Sequence, residues 1–533
     1  MALLSYPFLV EPILSVSDQS VTWSLMFCLF VLVEGVIAIG LLRHSRRGPD
    51  ETASHKHPAV PQASTVPWPI RSAWIALPAL ASTMLLVVTN HVCQDIAVIP
   101  FLWVLPLSLY LISFIVCFDS PHWYRPKLIA GATLVAVLTI QAKHVLPASI
   151  QLIAEASCYM MTLLGVCLLC HGEVARIKPQ ATQLTLYYAM LSAGGAIGGI
   201  IVALVCPLLL DTFIELPLVL GISTSLTCIV FFACRGWVQS EYDWSAIRRL
   251  RFPAAALMIA PLATVMLAPQ DETIASERNF FGVLAVLKND NGIRLVHGST
   301  IHGMQRLGDA SSEPTTYYGR QSGVGLAMAV LQRSDPALRV GVVGLGCGVL
   351  ATYGRDSDHF DMIEINPAVI DIAHTHFTFL SDSRATIRTH LGDGRLVLER
   401  MDRARFDLLV LDAFSSDAIP AHLLTREAVQ LYRHRLAEDG ILAVHVSNNH
   451  LDLVPLVHRL AHDAGLDSRV VRGAANESLG IHPSIWMLLG DADHPLWDDR
   501  LLETAREATP GELAEAPLWT DQHHNLVSVL RLW

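Results

Sequence analysis

Two features of this sequence have the residue types and spacing of a nucleoside site. Gly344-Leu-Gly346-Cys-Gly348 directly follows a short β-rich run, and Glu364 ends the next β-rich run, about 20 residues further on. Glycines let the backbone turn tightly and approach a ligand without a Cβ in the way. An acidic side chain at the second strand end can accept hydrogen bonds from both hydroxyls of a ribose. The pair predicts a site for a nucleoside.

Two further carboxylates stand at predicted strand ends. Asp393 lies in a Gly-Asp-Gly turn after a β-rich run, and Asp412 directly follows a buried apolar run. In a doubly wound sheet, ligands bind at the carboxyl ends of the parallel strands. We therefore expect the glycine loop and the three carboxylates to converge on one crevice. The alternative is that each carboxylate only caps the helix that follows it.

The elements needed to position these residues belong to an α/β domain over 271–533. Apolar runs at 280–287 and 293–296 flank an Asn-Gly dipeptide, which is a strong β-hairpin signal. A helix is predicted over 321–333, before an Asp-Pro break. The fold class predicted is an α-helical multi-span membrane domain followed by a Rossmann-like α/β domain with an N-terminal β-hairpin.

Composition divides the chain into an apolar half and an acidic half. Only 16% of the 533 residues are charged and the mean hydropathy is +0.43, whereas soluble domains carry about 25% charged residues. The formal net charge of -11 arises after residue 270, and residues 1–270 are close to neutral. An acidic domain without a basic stripe argues against nucleic acid as a partner. The lipid bilayer is the expected partner of 1–270.

Residues 1–270 contain apolar runs long enough to cross a bilayer, which takes about 20 residues per helix. We expect a transmembrane helical domain with seven to eight spans, which makes this a multi-pass protein of the cell (inner) membrane. The eighth run is short and contains two prolines. The expected spans are 21–42, 72–92, 96–118, 128–146, 149–171, 183–209, 212–234 and, as the doubtful eighth, 252–268.

Basic residues recur in every second loop between these spans. The positive-inside rule places such loops in the cytoplasm and the N-terminus outside. The segment 252–268 then decides on which side the acidic domain lies. It has about 17 residues, the lower limit for a span, and Pro261 would kink a helix at its middle. We expect it to be interfacial or re-entrant and the acidic domain to be cytoplasmic.

The arrangement resembles class I S-adenosylmethionine-dependent transferases. More closely, it resembles the spermidine synthase (polyamine aminopropyltransferase) family in the form fused to a membrane domain. The resemblance covers roughly 278–530 and is most specific at Leu411-Asp412-Ala-Phe-Ser-Ser-Asp417-Ala-Ile-Pro420-Ala-His422-Leu-Leu-Thr425. The hairpin residues Leu295–Gly298 and His302–Gln305, with Tyr317-Tyr318, fit the fused form.

The resemblance implies a transferase that uses S-adenosylmethionine or its decarboxylated form as donor and a polyamine or other amine as acceptor, without a metal. Glu364 would bind the ribose and Asp393 the adenine amine. Asp412 would orient and deprotonate the attacking amine. The implied catalytic residues are Asp412 and Asp417, the donor-binding residues are Gly344, Gly346, Gly348, Glu364, Asp393, Gly394 and Gln305, and the acceptor-binding residues are Tyr317 and Tyr318.

One departure from the family keeps other functions open. Cys347 stands in the glycine loop where the soluble enzymes usually have an aspartate that contacts the aminopropyl end of the donor. One alternative is therefore an S-adenosylmethionine-dependent methyltransferase. Another is a non-catalytic polyamine- or nucleoside-binding transporter or sensor. A homodimer is the assembly expected. His445, Asn448, Asn449 and His450 follow a predicted turn and strand; one interpretation is that they line the pocket, and the other is that they are solvated, as most polar loop residues are.

Overall fold

The computed structural model describes most of the chain in two parts, a helical part and a part that contains all the described strands. The order of elements confirms the predicted fold class, because helices come first and a Rossmann-like α/β arrangement follows. The predicted boundary near residue 270 stays a prediction, since residues 257–271 are outside the described ones. The described residues are 2–46, 66–93, 100–142, 148–234, 243, 245–250, 252–256, 272–298, 300–401, 405–413, 420–448, 450–498, 505–507 and 509–531.

Seven long helices make up the described helical part, and they coincide with the first seven predicted spans. Five are long and apolar enough to cross a membrane: Val16–Arg43, Trp68–His91, Ile153–Arg176, Ala181–Leu209 and Glu215–Ala233. Two more apolar helices, Trp103–Asp119 and Pro126–Gln141, are shorter. The complete helices are α1 Val16–Arg46, α2 Trp68–His91, α3 Pro100–Asp119, α4 Pro126–Gln141, α5 Ala148–Arg176, α6 Leu184–Ile200 and α7 Glu215–Ala233.

Small residues allow α2 and α6 to lie close together. A Cβ added at Gly194 would come within 2.3 Å of the Ile75 carbonyl oxygen, and one at Gly198 within 2.4 Å of the Ala79 carbonyl oxygen. Such small-residue spacing is how helices associate in lipid, where no hydrophobic effect drives them together. The helix α1 differs, since its large apolar side chains are exposed, with Trp23 at 71%. An apolar surface of this kind suits contact with lipid.

The α/β part contacts one end of the helical part. The basic loops lie at the other end. The Arg278 guanidinium donates to the Glu215 carboxylate at 2.7 Å, and both side chains are 5% exposed. Ser276 Oγ donates to the Asp211 carbonyl oxygen at 2.9 Å. The Val16 N–H, at the start of α1, donates to the Gln522 carbonyl oxygen at 3.0 Å.

The chain must pass from one end of α7 to the other before the first strand. The Asp243 N–H donates to the Ala233 carbonyl oxygen, at the basic end of α7. Ser225 Oγ, halfway along α7, donates to the Ala254 carbonyl oxygen at 2.7 Å. Arg278 then lies at the opposite end of α7, beside Glu215.

The expectation that 252–268 is interfacial or re-entrant stays a prediction. A helix of the length of α7 rises about 28 Å, close to the roughly 30 Å of a bilayer core. Most of the segment, from residue 257 on, lies outside the described residues. Its two flanks nevertheless fix the α/β part and the basic loops at opposite ends of the helical part.

The α/β part contains a four-stranded antiparallel sheet and an eight-stranded mixed sheet. The predicted hairpin is present, and Asn289 pairs with Gly292 across its turn. The strands are β1 Glu272–Asn279, β2 Gly282–Asn289, β3 Gly292–His297, β4 Thr300–Arg306, β5 Arg339–Val343, β6 His359–Glu364, β7 Thr386–Leu391, β8 Phe406–Leu411, β9 Leu436–His445, β10 Asp467–Gly473, β11 Ser484–Gly490 and β12 Arg506–Glu507.

The strand order is β1-β2-β3-β4 in the smaller sheet and β12-β10-β11-β9-β8-β5-β6-β7 in the larger one. Strands β5 to β9 are parallel to one another, and β5 lies between β6 and β8. The chain order reverses at this point, which is where doubly wound sheets bind ligands. Successive strand residues face opposite cores, so Leu408 packs in one cluster and Leu409 in the other. The helices that cover the sheet are α8 Gly323–Ser334, α9 Pro367–His376, α10 Gly394–Arg400, α11 Arg426–Arg435 and α12 Val454–Asp463.

We predict that Arg278→Ala destabilises the contact between the two parts. Removing one partner of a buried ion pair leaves an uncompensated charge and costs about 3–5 kcal/mol. The midpoint of thermal unfolding in detergent should fall by roughly 5 °C or more. Arg320→Ala is the matched control, because the Arg320–Glu313 pair is 65% and 53% exposed and such pairs contribute only about 0–1 kcal/mol. Equal midpoints for the two variants would contradict the prediction.

Candidate active site

An open crevice with about 870 Å³ of empty space lies at the carboxyl ends of β5 to β8. Its wall contains most of the residues predicted from the sequence. The predicted residues on this wall are Gly344, Gly346, Glu364, Asp393, Gly394, Asp412, Tyr317 and Tyr318. The first six follow four separate strand ends and converge because those strands are parallel neighbours, as the sequence argument required. The two tyrosines come from the loop before α8.

The glycine loop needs glycine for reasons that the structure makes explicit. Gly344 has φ +98°, and a Cβ there would lie 2.2 Å from the Asp412 carbonyl oxygen. Gly346 has φ +55°, and its Cβ would lie 2.6 Å from the His302 carbonyl oxygen. Both residues border the crevice. Gly348 is not on the crevice wall, and a Cβ added to it would point at Leu380 instead.

Glu364 ends β6 beside the glycine loop, and backbone groups hold its carboxylate in place. The Leu345 N–H donates to Oε2 at 3.1 Å, and the Asn366 N–H donates to Oε1 at 2.9 Å. Burial raises the pKa of Glu364 above its ordinary value, although these N–H groups act in the opposite direction. The carboxylate therefore links the loop and the end of β6 at the crevice wall.

Asp393 has both of the roles that the sequence argument set against each other. Its Oδ1 accepts a hydrogen bond from the Leu396 N–H at 3.0 Å and so caps α10. Its Oδ2 lies 2.9 Å from His422 Nε2, which also borders the crevice. Burial acts to raise the pKa of Asp393, but the Leu396 N–H and His422 outweigh it and hold the pKa below its ordinary value. The carboxylate is thus both a helix cap and a charged group of the crevice.

Asp412 is the most buried of the three carboxylates, with its side chain 3% exposed. The Tyr318 hydroxyl donates to Oδ2, and Oδ1 lies 2.7 Å from His445 Nδ1. Burial and the neighbouring carboxylate raise the pKa of Tyr318 well above its ordinary value, so the phenol keeps its proton and donates it. Asp412 is therefore fixed by donors on both of its oxygens.

His445 is not among the site residues predicted from the sequence. It ends β9, and β8 pairs in parallel with β9 so that Leu411 lies opposite Val444. The next residue on each strand is Asp412 and His445, which explains why their side chains meet. A signal existed, because His445 closes a buried strand in the same way that Asp412 does.

Two residues near Asp412 stay uncharged at neutral pH. His302 borders the crevice, and burial, with His297 as a second cause, lowers its pKa to about 4. Cys347 is fully buried behind Gly303, where an added Cβ would lie 2.2 Å from its sulfur. Burial raises the pKa of the Cys347 thiol. The glycine loop thus holds a buried, neutral thiol.

Besides Gly348, two predicted residues are not part of the described crevice. The Gln305 amide is used elsewhere, because Nε2 donates to Thr378 Oγ1 at 2.7 Å and Oε1 accepts from the Thr378 N–H at 3.0 Å. Gln305 is buried and connects the hairpin to a neighbouring loop, away from the crevice wall. Asp417 lies outside the described residues. Within the described ranges, no group of three or more His, Cys, Asp or Glu side chains is arranged to hold a metal ion.

Comparison with known proteins points to one group of transferases. No family model matches the chain. It is 34% identical over 125 residues to a polyamine aminopropyltransferase of Vibrio vulnificus (strain CMCP6), a match that covers 22% of this chain and 41% of the relative. It is also 34% identical over 98 residues to an eEF1A lysine and N-terminal methyltransferase of Danio rerio, covering 17% of this chain and 14% of the relative. The chain thus spans about two fifths of the first relative's length.

Two solved structures are also similar to part of this chain. A probable spermidine synthase from Corynebacterium glutamicum is 18% identical with a TM-score of 0.34, covering 42% of this chain and 81% of the other. Human methyltransferase-like protein 13 in complex with SAH is 22% identical with a TM-score of 0.25, covering 36% and 85%. The sequence match to the Vibrio vulnificus protein shows that this chain has spermidine synthase-like homology, and the relatives that it matches are transferases.

Proposed function

We propose that this protein is a membrane-anchored, aminopropyltransferase-like enzyme. Its donor is decarboxylated S-adenosylmethionine or S-adenosylmethionine, and its acceptor is a polyamine or another amine. The observation that carries the proposal is the Asp412 carboxylate, buried at a crevice that the glycine loop and Glu364 also line. The homology to a polyamine aminopropyltransferase supports the same reaction.

The donor would lie along the strand ends with its nucleoside at β6 and β7. Glu364 would accept hydrogen bonds from the ribose hydroxyls, and Asp393 would accept one from the adenine amine. Gly344 and Gly346 would let the backbone approach the part of the donor that carries the sulfur. This order places the reacting carbon of the donor near the glycine loop and the Asp412 carboxylate. The two are neighbours, because Gly344 lies against the backbone of Asp412.

Asp412 would prepare the acceptor for attack. An ammonium group has no lone pair, so it must lose a proton before its nitrogen can attack carbon. The carboxylate would hold the ammonium and accept that proton. The nitrogen then bonds to the carbon next to the sulfonium, the carbon–sulfur bond breaks, and its electron pair stays on sulfur as a neutral thioether. The positive charge on sulfur is thereby lost as the new C–N bond forms.

A second candidate function is methyl transfer to an amine with S-adenosylmethionine as donor. The match to eEF1A lysine and N-terminal methyltransferases favours it. The buried neutral Cys347 also favours it, because an aminopropyl ammonium on the donor would find no carboxylate there. The same carboxylate, Asp412, would receive the proton of the amine in either reaction.

We further propose that the α/β part lies outside the cytoplasm. The basic residues at one end of the helical part place that end in the cytoplasm by the positive-inside rule. The ion pair between Arg278 and Glu215 joins the α/β part to the other end. This proposal differs from the expectation of a cytoplasmic catalytic domain, and on it the donor and acceptor would be taken from the outer side of the membrane.

We predict that Glu364→Ala weakens binding of the nucleoside donor at least tenfold, about 1.4 kcal/mol. The reason is the loss of the acceptor for the ribose hydroxyls. Isothermal titration calorimetry with the protein in detergent measures this directly. Glu438→Ala removes an exposed carboxylate of β9 and is the matched control. Unchanged affinity in Glu364→Ala would remove the ribose assignment.

We predict that Asp412→Asn keeps donor affinity but lowers turnover by roughly 10²–10⁴, the range typical of acid–base groups. The amide fills the same space but cannot accept the proton of the amine. Turnover is followed by mass spectrometry of the nucleoside product. A variant with near wild-type turnover would show that Asp412 serves only to hold Tyr318 and His445.

We predict that a phosphatase fused after Trp533 is active outside the cell and that a fluorescent protein fused there is dark. Both results follow from an α/β part opposite the basic loops. Fusions after Lys178, in a basic loop, are the control and should give the reverse pattern. Fluorescence after Trp533, with the control also fluorescent, would contradict the proposed sidedness.

A further inference from the structure

We propose that His445 is a positioning residue that sets the orientation of the Asp412 carboxylate for proton transfer from the acceptor. The inference rests on the proposed function, since it assigns a role within the same site. It concerns a residue that does not border the crevice among those described there. His445 acts on the acceptor only through Asp412.

The backbone brings His445 to Asp412. The register of β8 and β9 places the two residues next to one another at adjacent strand ends. His445 Nδ1 lies 2.7 Å from Asp412 Oδ1, and the two side chains are 6% and 3% exposed. With Asp412 ionised, Nδ1 carries the proton and donates it to the carboxylate. A charge-assisted hydrogen bond of this kind is shorter and about twice as strong as a neutral one.

The His445 ring is held by stacking on both sides. The Tyr317 ring lies 4.4 Å away at an interplanar angle of 18°, and the Trp486 ring lies 4.7 Å away at 28°. Trp486 Nε1 also donates to the Tyr317 carbonyl oxygen at 3.0 Å, which fixes the Trp486 ring to the backbone of Tyr317. Trp486 itself pairs with His445 across β11 and β9. The imidazole therefore cannot turn away from Asp412 without separating three rings.

This arrangement matters because the carboxylate has only one other donor among the described residues. The Tyr318 hydroxyl donates to Oδ2, and His445 is the donor to Oδ1. Without His445, the carboxylate would lose one of its two hydrogen bonds. It could then rotate about its Cβ–Cγ bond. The titratable groups facing Asp412 are His445 from β9, Tyr317 and Tyr318 from the loop before α8, and His302 from β4.

Two substitutions of full-length protein separate the hydrogen bond from the packing. His445→Phe keeps a ring between Tyr317 and Trp486 but removes the donor. His445→Gln keeps an N–H donor but removes the ring. His458→Phe is the matched control, because His458 is another buried histidine, 2% exposed, in α12. Thermal midpoints identify any variant that fails to fold.

We expect His445→Phe to lower kcat at least tenfold, while the donor Kd stays within twofold of wild type, about 0.4 kcal/mol. His445→Gln should recover most of the lost kcat, and His458→Phe should leave kcat unchanged. A His445→Phe enzyme with wild-type kcat would overturn the inference.

A second readout does not depend on turnover. In ¹⁵N-histidine-labelled protein we expect one exchange-protected Nδ1–H resonance at low field that is absent in His445→Phe and shifted in Asp412→Asn. A wild-type protein without that resonance would overturn the positioning role. A wild-type protein that shows it, but is inactive with every donor and amine, would contradict the proposed function and leave the His445–Asp412 bond standing.

Discussion

The crevice depends on one constraint, which is that a carboxylate buried at the end of β8 needs hydrogen-bond donors. Asp412 obtains them from Tyr318, in the loop before α8, and from His445, at the end of β9. These two bonds connect the central strands to the loop that follows the hairpin sheet. Gly344 lies against the Asp412 backbone, so the glycine loop, the carboxylate and the aromatic residues form one unit. Any reaction of an amine at this site must occur within that unit.

The sequence predicted the layout of the crevice because that layout follows from strand order alone. Parallel strands end at one edge, so Glu364, Asp393 and Asp412 had to meet there. It could not predict His445 or the position of Gln305, since both depend on which side chains face each other across non-adjacent segments. The neutral state of Cys347 also follows from burial behind Gly303, which the sequence does not show.

The helical part illustrates a different limit. Apolar length located seven helices, but the end at which the α/β part meets them depends on contacts that the sequence does not show. The pair between Arg278 and Glu215 and the bond between Ser225 and Ala254 place the α/β part opposite the basic loops. A transferase in that position would face a different substrate pool from its soluble relatives. The membrane part would then do more than anchor the enzyme, since it would decide which pool the crevice meets.

The central claim is that the crevice transfers an aminopropyl group to an amine with Asp412 as the group that takes the proton. The most direct measurement is mass spectrometry of the nucleoside formed when the purified full-length protein is incubated with each donor and a panel of polyamines. The account predicts methylthioadenosine from the decarboxylated donor, in step with a lengthened polyamine. Formation of S-adenosylhomocysteine alone, or of no nucleoside product with any donor and amine, would contradict it.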